Sequence, residues 1–87
     1  MKTAFMLMAQ YDGKVVIPID AVCRDYFPQF TPTKFVEKFR CGELRLPLVK
    51  LGPGQKAAKG IAQNDLASYL DNQIAVARKD MEALTSA

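Results

Sequence analysis

The sequence contains no histidine, and its 87 residues include only two cysteines. Without histidine, neither a Cys-His nor a Ser-His-Asp catalytic arrangement can form. Cys23 and Cys41 are far apart and form no CxxC pair, which argues against a zinc site. Both cysteines fall at apolar positions of helical segments, so we expect them to be core thiols. These absences predict a protein that is not an enzyme and that requires no metal or other cofactor.

Long apolar runs are also absent. The run from Ala4 to Ala9 follows Lys2 but is too short for a secretory signal peptide, and no small-residue cleavage site follows it. No other segment approaches the roughly 20 apolar residues that a membrane-spanning helix needs. We therefore expect a soluble, cytoplasmic protein that does not interact with membranes.

Positive charge is present, and it is concentrated in one stretch. Between Lys34 and Lys59, seven basic residues stand against two acidic ones, whereas the rest of the chain has five basic and seven acidic residues. The local net charge is therefore +5 and the remainder sums to −2. Such clustering is typical of a polyanion-binding surface, because each neutralised phosphate releases condensed counterions. The alternative is a solvated basic face on an ordinary small domain.

The N-terminal third favours two helices with a short extended segment between them. Residues 4–11 are compatible with a helix ending near Gly13 or with a hairpin that turns at Asp12-Gly13; we favour the helix, with residues 15–17 extended. The next helix begins at Pro18 and ends before Pro28, since the residue before a proline is disfavoured in a helix. Its apolar stripe consists of Ile19, Val22, Cys23 and Tyr26.

A third helix is predicted over residues 31–42. Thr31 is a good N-cap, Pro32 suits the first helical position, and Gly42 is placed to end the helix in a left-handed conformation. Pro32, Phe35, Val36 and Phe39 form its apolar stripe, and the opposite face is polar and basic. Two short amphipathic helices joined by three residues indicate a helix-turn-helix.

A basic hairpin is predicted after this helix. Leu46 to Leu51 has the composition of a strand, residues 60–62 are its predicted partner, and the tip lies between them. A hairpin at this place predicts a wing. The fold class is therefore mainly α with a small β hairpin, a winged helix-turn-helix of the kind found in excisionases and MerR-type regulators.

The last helix is predicted from Gln63 or Asn64 toward Leu84. Its apolar positions step by fours and threes: Leu66, Leu70, Ile74, Ala77, Met81 and Leu84. We expect the first turns, with Tyr69, to pack on the core of a DNA-binding domain formed by residues 1–71. The continuation over residues 72–87 is predicted to be a dimerisation segment of a homodimer, and a frayed, solvated helix is the alternative.

Six stretches of the chain together resemble the pyocin activator PrtN family of phage-derived bacterial regulators. They are, in order, FMLMAQYDG, VVIPIDAVCRDYF, a TPTK-initiated helix, LPLVKL, GQKAAKG and NDLASYLD. The resemblance covers about residues 1–71. It implies a small transcriptional activator that binds a promoter-proximal DNA element and switches on pyocin or related prophage genes in the DNA-damage response.

We therefore expect a nucleoid-associated protein whose partners are double-stranded promoter DNA and RNA polymerase. The helix at residues 31–42 would enter the major groove and the wing at residues 50–60 would hold the phosphate backbone. The predicted DNA-binding residues are Thr33, Lys34, Glu37, Lys38 and Arg40 on the helix and Lys50, Gln55, Lys56 and Lys59 on the wing, with Arg24 and Arg45 as weaker candidates. The alternatives are an excisionase-like architectural factor and a protein-interaction module that binds no DNA.

Overall fold

The computed structural model describes residues 2–54 and 58–85. The elements are α1 (Lys2–Gln10), β1 (Val16–Pro18), α2 (Ile19–Tyr26), α3 (Pro32–Arg40), β2 (Val49–Lys50), β3 (Lys59–Ala62) and α4 (Gln63–Thr85). The fold is mainly helical with a small three-stranded antiparallel sheet, which confirms the predicted class at this level. Within the described ranges, none of the helices combines the length and apolarity that a membrane crossing requires.

The N-terminal segment forms a helix, which is the favoured one of the two alternatives. α1 ends at a turn over Asp12 and Gly13, whose φ angles of 55° and 76° lie in the left-handed region. The backbone N–H of Gly13 donates to the Met8 carbonyl at 2.7 Å, and that of Lys14 donates to the Tyr11 carbonyl at 3.1 Å. Asp and Gly tolerate this conformation better than other residues do. The Asp12-Gly13 pair therefore joins a helix to a strand, and not two strands.

The sheet has the strand order β1-β3-β2, so β3 lies at its centre. The pairing of β2 with β3 is the predicted hairpin. The pairing of β1 with β3, which places Ile17 opposite Ile61, is not predicted, because a three-residue strand is too short to show an alternating pattern. The predicted strand Leu46–Leu51 is also longer than the observed one: β2 contains only Val49–Lys50, and Pro47 has no N–H to contribute to a ladder.

The core draws large side chains from every helix, from the two longer strands and from the segment before β2. Those with almost no exposed surface are Leu7, Ile17, Val22, Phe35, Leu46, Ile61 and Leu66. Phe27, directly after α2, lies at the centre of an aromatic group: its ring centroid is 5.2 Å from that of Phe35, edge-on, and 5.8 Å from that of Tyr69. Phe27 therefore joins α3 to α4 through the turn that separates α2 from α3.

The prediction that both cysteines are core thiols is right for Cys23 and wrong for Cys41. Cys23 is buried, and this burial raises the pKa of its thiol. Cys41 is exposed at the C-cap of α3. Pro32, at the other end of the predicted stripe, is exposed as well. The ends of α3 extend past the core, so an apolar position there has no core side chain against which to pack.

The buried side chain of Gln63 holds the start of α4 in place. Its Nε2 donates to the Ala4 carbonyl at 2.7 Å, and its backbone N–H donates to the Val15 carbonyl at 2.7 Å. β3 runs into α4 without a loop, so these two bonds attach the junction to α1 and to the residue before β1. The side-chain amide and the backbone N–H of Gln63 together hold the start of α4 against α1 and the residue before β1.

The first turns of α4 pack on the core, as predicted. Leu66 and Ala67 are buried, and Tyr69 and Leu70 pack partly against the same cluster. From Asp71 to Thr85 every residue is exposed. This second part of the helix, residues 71–85, is called the α4 overhang below.

Gly60 permits the close approach of β1 and β3. A Cβ atom at this position would lie 2.6 Å from the Ile17 carbonyl oxygen and 2.7 Å from Cγ1 of Val16. Backbone cannot give way as a flexible side chain can, so any residue larger than glycine forces the two strands apart.

We predict that Gly60→Ala lowers the free energy of unfolding by about 1–3 kcal/mol, the usual cost of overpacking a tight site. Urea denaturation followed by circular dichroism measures the effect. Ser68→Ala, on the exposed side of α4, is the control and should change the stability by less than about 0.5 kcal/mol. An unchanged midpoint for Gly60→Ala would show that the strand spacing is not tight.

Candidate nucleic-acid interface

Both ends of α3 have the capping interactions that the sequence predicts. Thr31 Oγ1 accepts a hydrogen bond from the backbone N–H of Lys34 at 3.2 Å, and Pro32 occupies the first turn. At the other end, Gly42 has a φ of 78°. The N–H of Gly42 donates to the Phe39 carbonyl and that of Glu43 to the Lys38 carbonyl, each at 3.0 Å, which is a Schellman motif. α3 therefore presents a short, well-defined surface.

The outward face of α3 is polar, as its periodicity predicts. Phe35 is fully buried, Val36 packs partly against the core, and Phe39 is half-buried. The other side of the helix is exposed at four predicted site residues: Thr33, Lys34, Glu37 and Arg40. Lys38 lies at the edge of this face and is half-buried.

A groove of about 420 Å³ brings part of the helix face and part of the hairpin together. It is lined by Ile19, Asp20, Pro32, Thr33, Val36, Glu37, Arg40 and Lys59. Four of the predicted site residues thus share one depression: Thr33, Glu37 and Arg40 from α3, and Lys59 from β3. Because β3 is the central strand, its position fixes Lys59 beside the helix. The sequence could not predict this arrangement, since Arg40 and Lys59 are far apart in the sequence and lie on different elements.

The groove is mixed in charge. Arg40 and Lys59 can only donate hydrogen bonds, Asp20 and Glu37 accept them as carboxylates, and Thr33 can do both. The predicted site omits Asp20, because an acid in the first turn of a helix is explained by the helix dipole alone. A groove with both donors and acceptors can complement the edge of a base, whereas a purely basic groove complements only phosphate.

Two lysines on α3 are held by nearby carboxylates. Lys34 Nζ lies 3.6 Å from Glu37 Oε2, and Lys38 Nζ lies 3.0 Å from Glu43 Oε2. The Lys38–Glu43 hydrogen bond raises the pKa of Lys38. Glu43 is not a predicted site residue; the Schellman turn at Gly42 brings it back beside the last turn of α3. Arg40, by contrast, forms no salt bridge with a residue in the described ranges.

The hairpin places two lysines directly opposite each other. Lys50 of β2 and Lys59 of β3 are register partners, so their side chains share one face of the sheet. Like charges at opposed positions destabilise a strand pair. The N–H of Leu51 donates to the Ala58 carbonyl at 2.8 Å and continues the hairpin toward its tip.

The remaining predicted site residues fall outside this surface or outside the described residues. Gln55 and Lys56 lie outside the described residues. Arg24 Nε is 3.1 Å from Asp25 Oδ1, and this interaction is the main reason that the pKa of Asp25 lies below its usual value. Arg45 lines a different depression, next to α4. Neither weaker candidate joins the groove beside α3.

The described part of the chain holds no group of three or more His, Cys, Asp or Glu side chains placed to bind a metal ion.

A family model described as "Pyocin activator protein PrtN" matches residues 3–77. The matched region begins in α1 and extends into the α4 overhang, so it includes both the α3 face and the hairpin. No curated protein and no solved structure matches the chain.

We predict that Thr31→Ala lowers the free energy of unfolding by about 1 kcal/mol, because the Lys34 N–H loses its side-chain acceptor. Thr33→Ala is the matched control: Thr33 is an exposed threonine in the same first turn, and it does not act as the cap. Thermal or urea unfolding compares the two. Equal losses for both variants would show that the hydroxyl of Thr31 contributes nothing as a cap.

Proposed function

The chain belongs to the pyocin activator PrtN family, and on that premise we propose that it is a sequence-specific DNA-binding transcriptional activator of pyocin or prophage-type genes. The proposed module is a winged helix-turn-helix, with α2 and α3 as the helix pair and β2–β3 as the wing. The observation that carries this proposal is the groove shared by Arg40 and Lys59. In this reading the protein is not an enzyme.

The helix pair supports the proposal through its rigidity. The turn between α2 and α3 is anchored by Phe27, whose ring contacts Phe35 of α3. The backbone N–H of Phe30 donates to the Phe27 carbonyl at 2.9 Å, which closes this turn. A helix in such a setting can enter the major groove, which is about 12 Å wide, without changing its own conformation.

The exposed face of α3 supplies the proposed reading residues. Arg40 can donate two hydrogen bonds to guanine, and Thr33 can contact a base or a phosphate. Glu37 can accept a hydrogen bond from a cytosine amine. Lys34 and Lys38 would contact the flanking phosphates.

The ion pairs on α3 do not oppose DNA binding. The Lys34 and Glu37 side chains are 65% and 59% exposed, and exposed pairs contribute only about 0.2–1 kcal/mol. A phosphate can therefore replace Glu37 beside Lys34 at little cost. The exchange would also release Glu37 to face a base.

The hairpin supplies the proposed contacts to the phosphate backbone of the DNA. Lys50 and Lys59 stand opposite each other, and the predicted wing residues Gln55 and Lys56 lie between them in the sequence. A phosphate between Lys50 and Lys59 would be attracted to both positive charges. DNA binding would place the protein at the nucleoid, and activation implies a contact with RNA polymerase.

The most direct test recovers genomic DNA fragments bound by the purified protein and sequences them. We expect fragments that lie upstream of promoters of pyocin or prophage-type genes. Recovery of recombination attachment sites instead would indicate an excisionase-like architectural factor. If no fragment is retained at low salt, the protein-interaction alternative replaces the proposal.

We predict that Arg40→Ala weakens binding to the recovered site by about 1–3 kcal/mol and relaxes specificity at one base pair, as expected for the loss of a bidentate base contact. Fluorescence anisotropy with the site and with single-base variants measures both effects. Lys14→Ala, at an exposed position after α1, removes one positive charge away from the groove and should leave affinity nearly unchanged.

Lys50→Ala provides the contrast with Arg40→Ala. A phosphate contact carries no sequence information, so this variant should weaken binding to all sequences and lower the slope of log K against log salt by about 0.9. If Arg40→Ala reduces affinity for random DNA as much as for the site, Arg40 is a phosphate anchor only.

A further inference from the structure

The outward face of α1 is apolar and uncovered. Ala4, Leu7 and Tyr11 face the core, yet Phe5 is 69% exposed and Met6 is 71% exposed on the other side of the same helix. Met8 is exposed next to them, and no residue from 3 to 10 is charged. A helix that is apolar all round is normally buried all round. A second surface is therefore expected to cover this face.

The α4 overhang has a similar uncovered stripe. Ile74, Met81 and Leu84 are exposed, and with Ala77 they step by threes and fours. The stripe continues the face that Leu66 and Leu70 pack against the core. This spacing is that of a helix which packs along another helix.

The two uncovered surfaces adjoin each other. Thr3 of α1 donates a hydrogen bond from Oγ1 to Oδ1 of Asp71, at the base of the overhang. The outer face of α1 and the overhang stripe therefore begin from the same corner of the molecule.

We propose that a second copy of this chain covers both surfaces, with the overhang of each copy lying on the outer face of α1 of the other in a two-fold symmetric dimer. Each copy has an exposed apolar stripe on its overhang and an exposed apolar face on α1, and the stripe of one copy can pack on the α1 face of the other. This self-association does not depend on the proposed DNA binding.

The charges on these surfaces favour a second copy over a charged partner. The overhang carries two basic side chains, Arg78 and Lys79, and three acidic ones, Asp71, Asp80 and Glu82, so its net charge is −1. The exposed apolar side chains on the outer face of α1 are uncharged. Surfaces with so little charge, and none of it net positive, do not attract nucleic acid or an acidic protein, and a two-fold interface requires self-complementarity.

The areas also indicate that both surfaces are used together. Each exposed large apolar side chain offers on the order of 100 Å², so three on α1 and three on the overhang give roughly 600 Å² per protomer, against about 800 Å² in a standard interface. Either surface alone would reach less than half of that value. The polar flanks of the two helices can supply the remainder.

The test measures self-association of the full chain by sedimentation equilibrium, without DNA. We expect a reversible dimer whose dissociation constant rises at least about tenfold in Phe5→Glu and in Met81→Glu, because each variant buries a carboxylate at the interface. Val76→Glu is the matched control: Val76 is 47% exposed, close to the 44% of Ile74, but lies off the stripe. This control should dimerise as the wild type does.

Circular dichroism verifies that each variant is folded, and Met6→Glu and Leu84→Glu replace any variant that is not. A wild-type chain that stays monomeric up to about 100 μM would overturn the proposal, since a micromolar dimer would be fully visible there. The proposal is also overturned if either Phe5→Glu or Met81→Glu dimerises as tightly as the wild type. Arg40→Ala should self-associate as the wild type does even if it no longer binds DNA. The dimer proposal and the DNA-binding proposal can therefore be tested independently.

Discussion

The close pairing of β1 with β3 at Gly60 is the contact on which the rest of the molecule depends. β1 connects α1 to α2, and β3 connects the hairpin to α4. Their pairing therefore fixes the positions of α1, α2 and α4 relative to the sheet. It also sets Lys59 against α3, because β3 carries that lysine one residue before Gly60. A single methyl group at Gly60 would disturb the core and the candidate interface together.

The resulting surface is basic, and carboxylates lie beside some of its lysines. Each lysine on α3 has a carboxylate within reach, and the two lysines of the hairpin stand opposite each other. In the proposed complex, phosphate would replace the carboxylates beside the α3 lysines at little cost, because the ion pairs are on the surface. Arg40 forms no salt bridge with a residue in the described ranges, which would suit the proposed role of reading a base.

The small core explains why so much apolar surface stays uncovered. Aromatic contacts at Phe27 join α2, α3 and α4, whereas α1 packs on α4 and the core with one side only, which leaves its other side exposed. The overhang extends beyond the core for the same reason. Small domains commonly gain stability by association. The proposed dimer would also hold two α3 helices in a fixed relation, which is how paired DNA half-sites are read.

The sequence by itself determined the local features of this protein. Chemistry between neighbouring residues accounts for the cap at Thr31, the helix end at Gly42 and the apolar stripes of α2 and α3. The family resemblance rests on contiguous stretches of the sequence. Only the tertiary structure decided which distant residues meet. Contacts between elements decide the β1–β3 pairing, the exposure of Cys41 and the groove shared by Arg40 and Lys59. A one-dimensional pattern cannot specify these, because its periodicity tells which face of an element is apolar but not what packs against it.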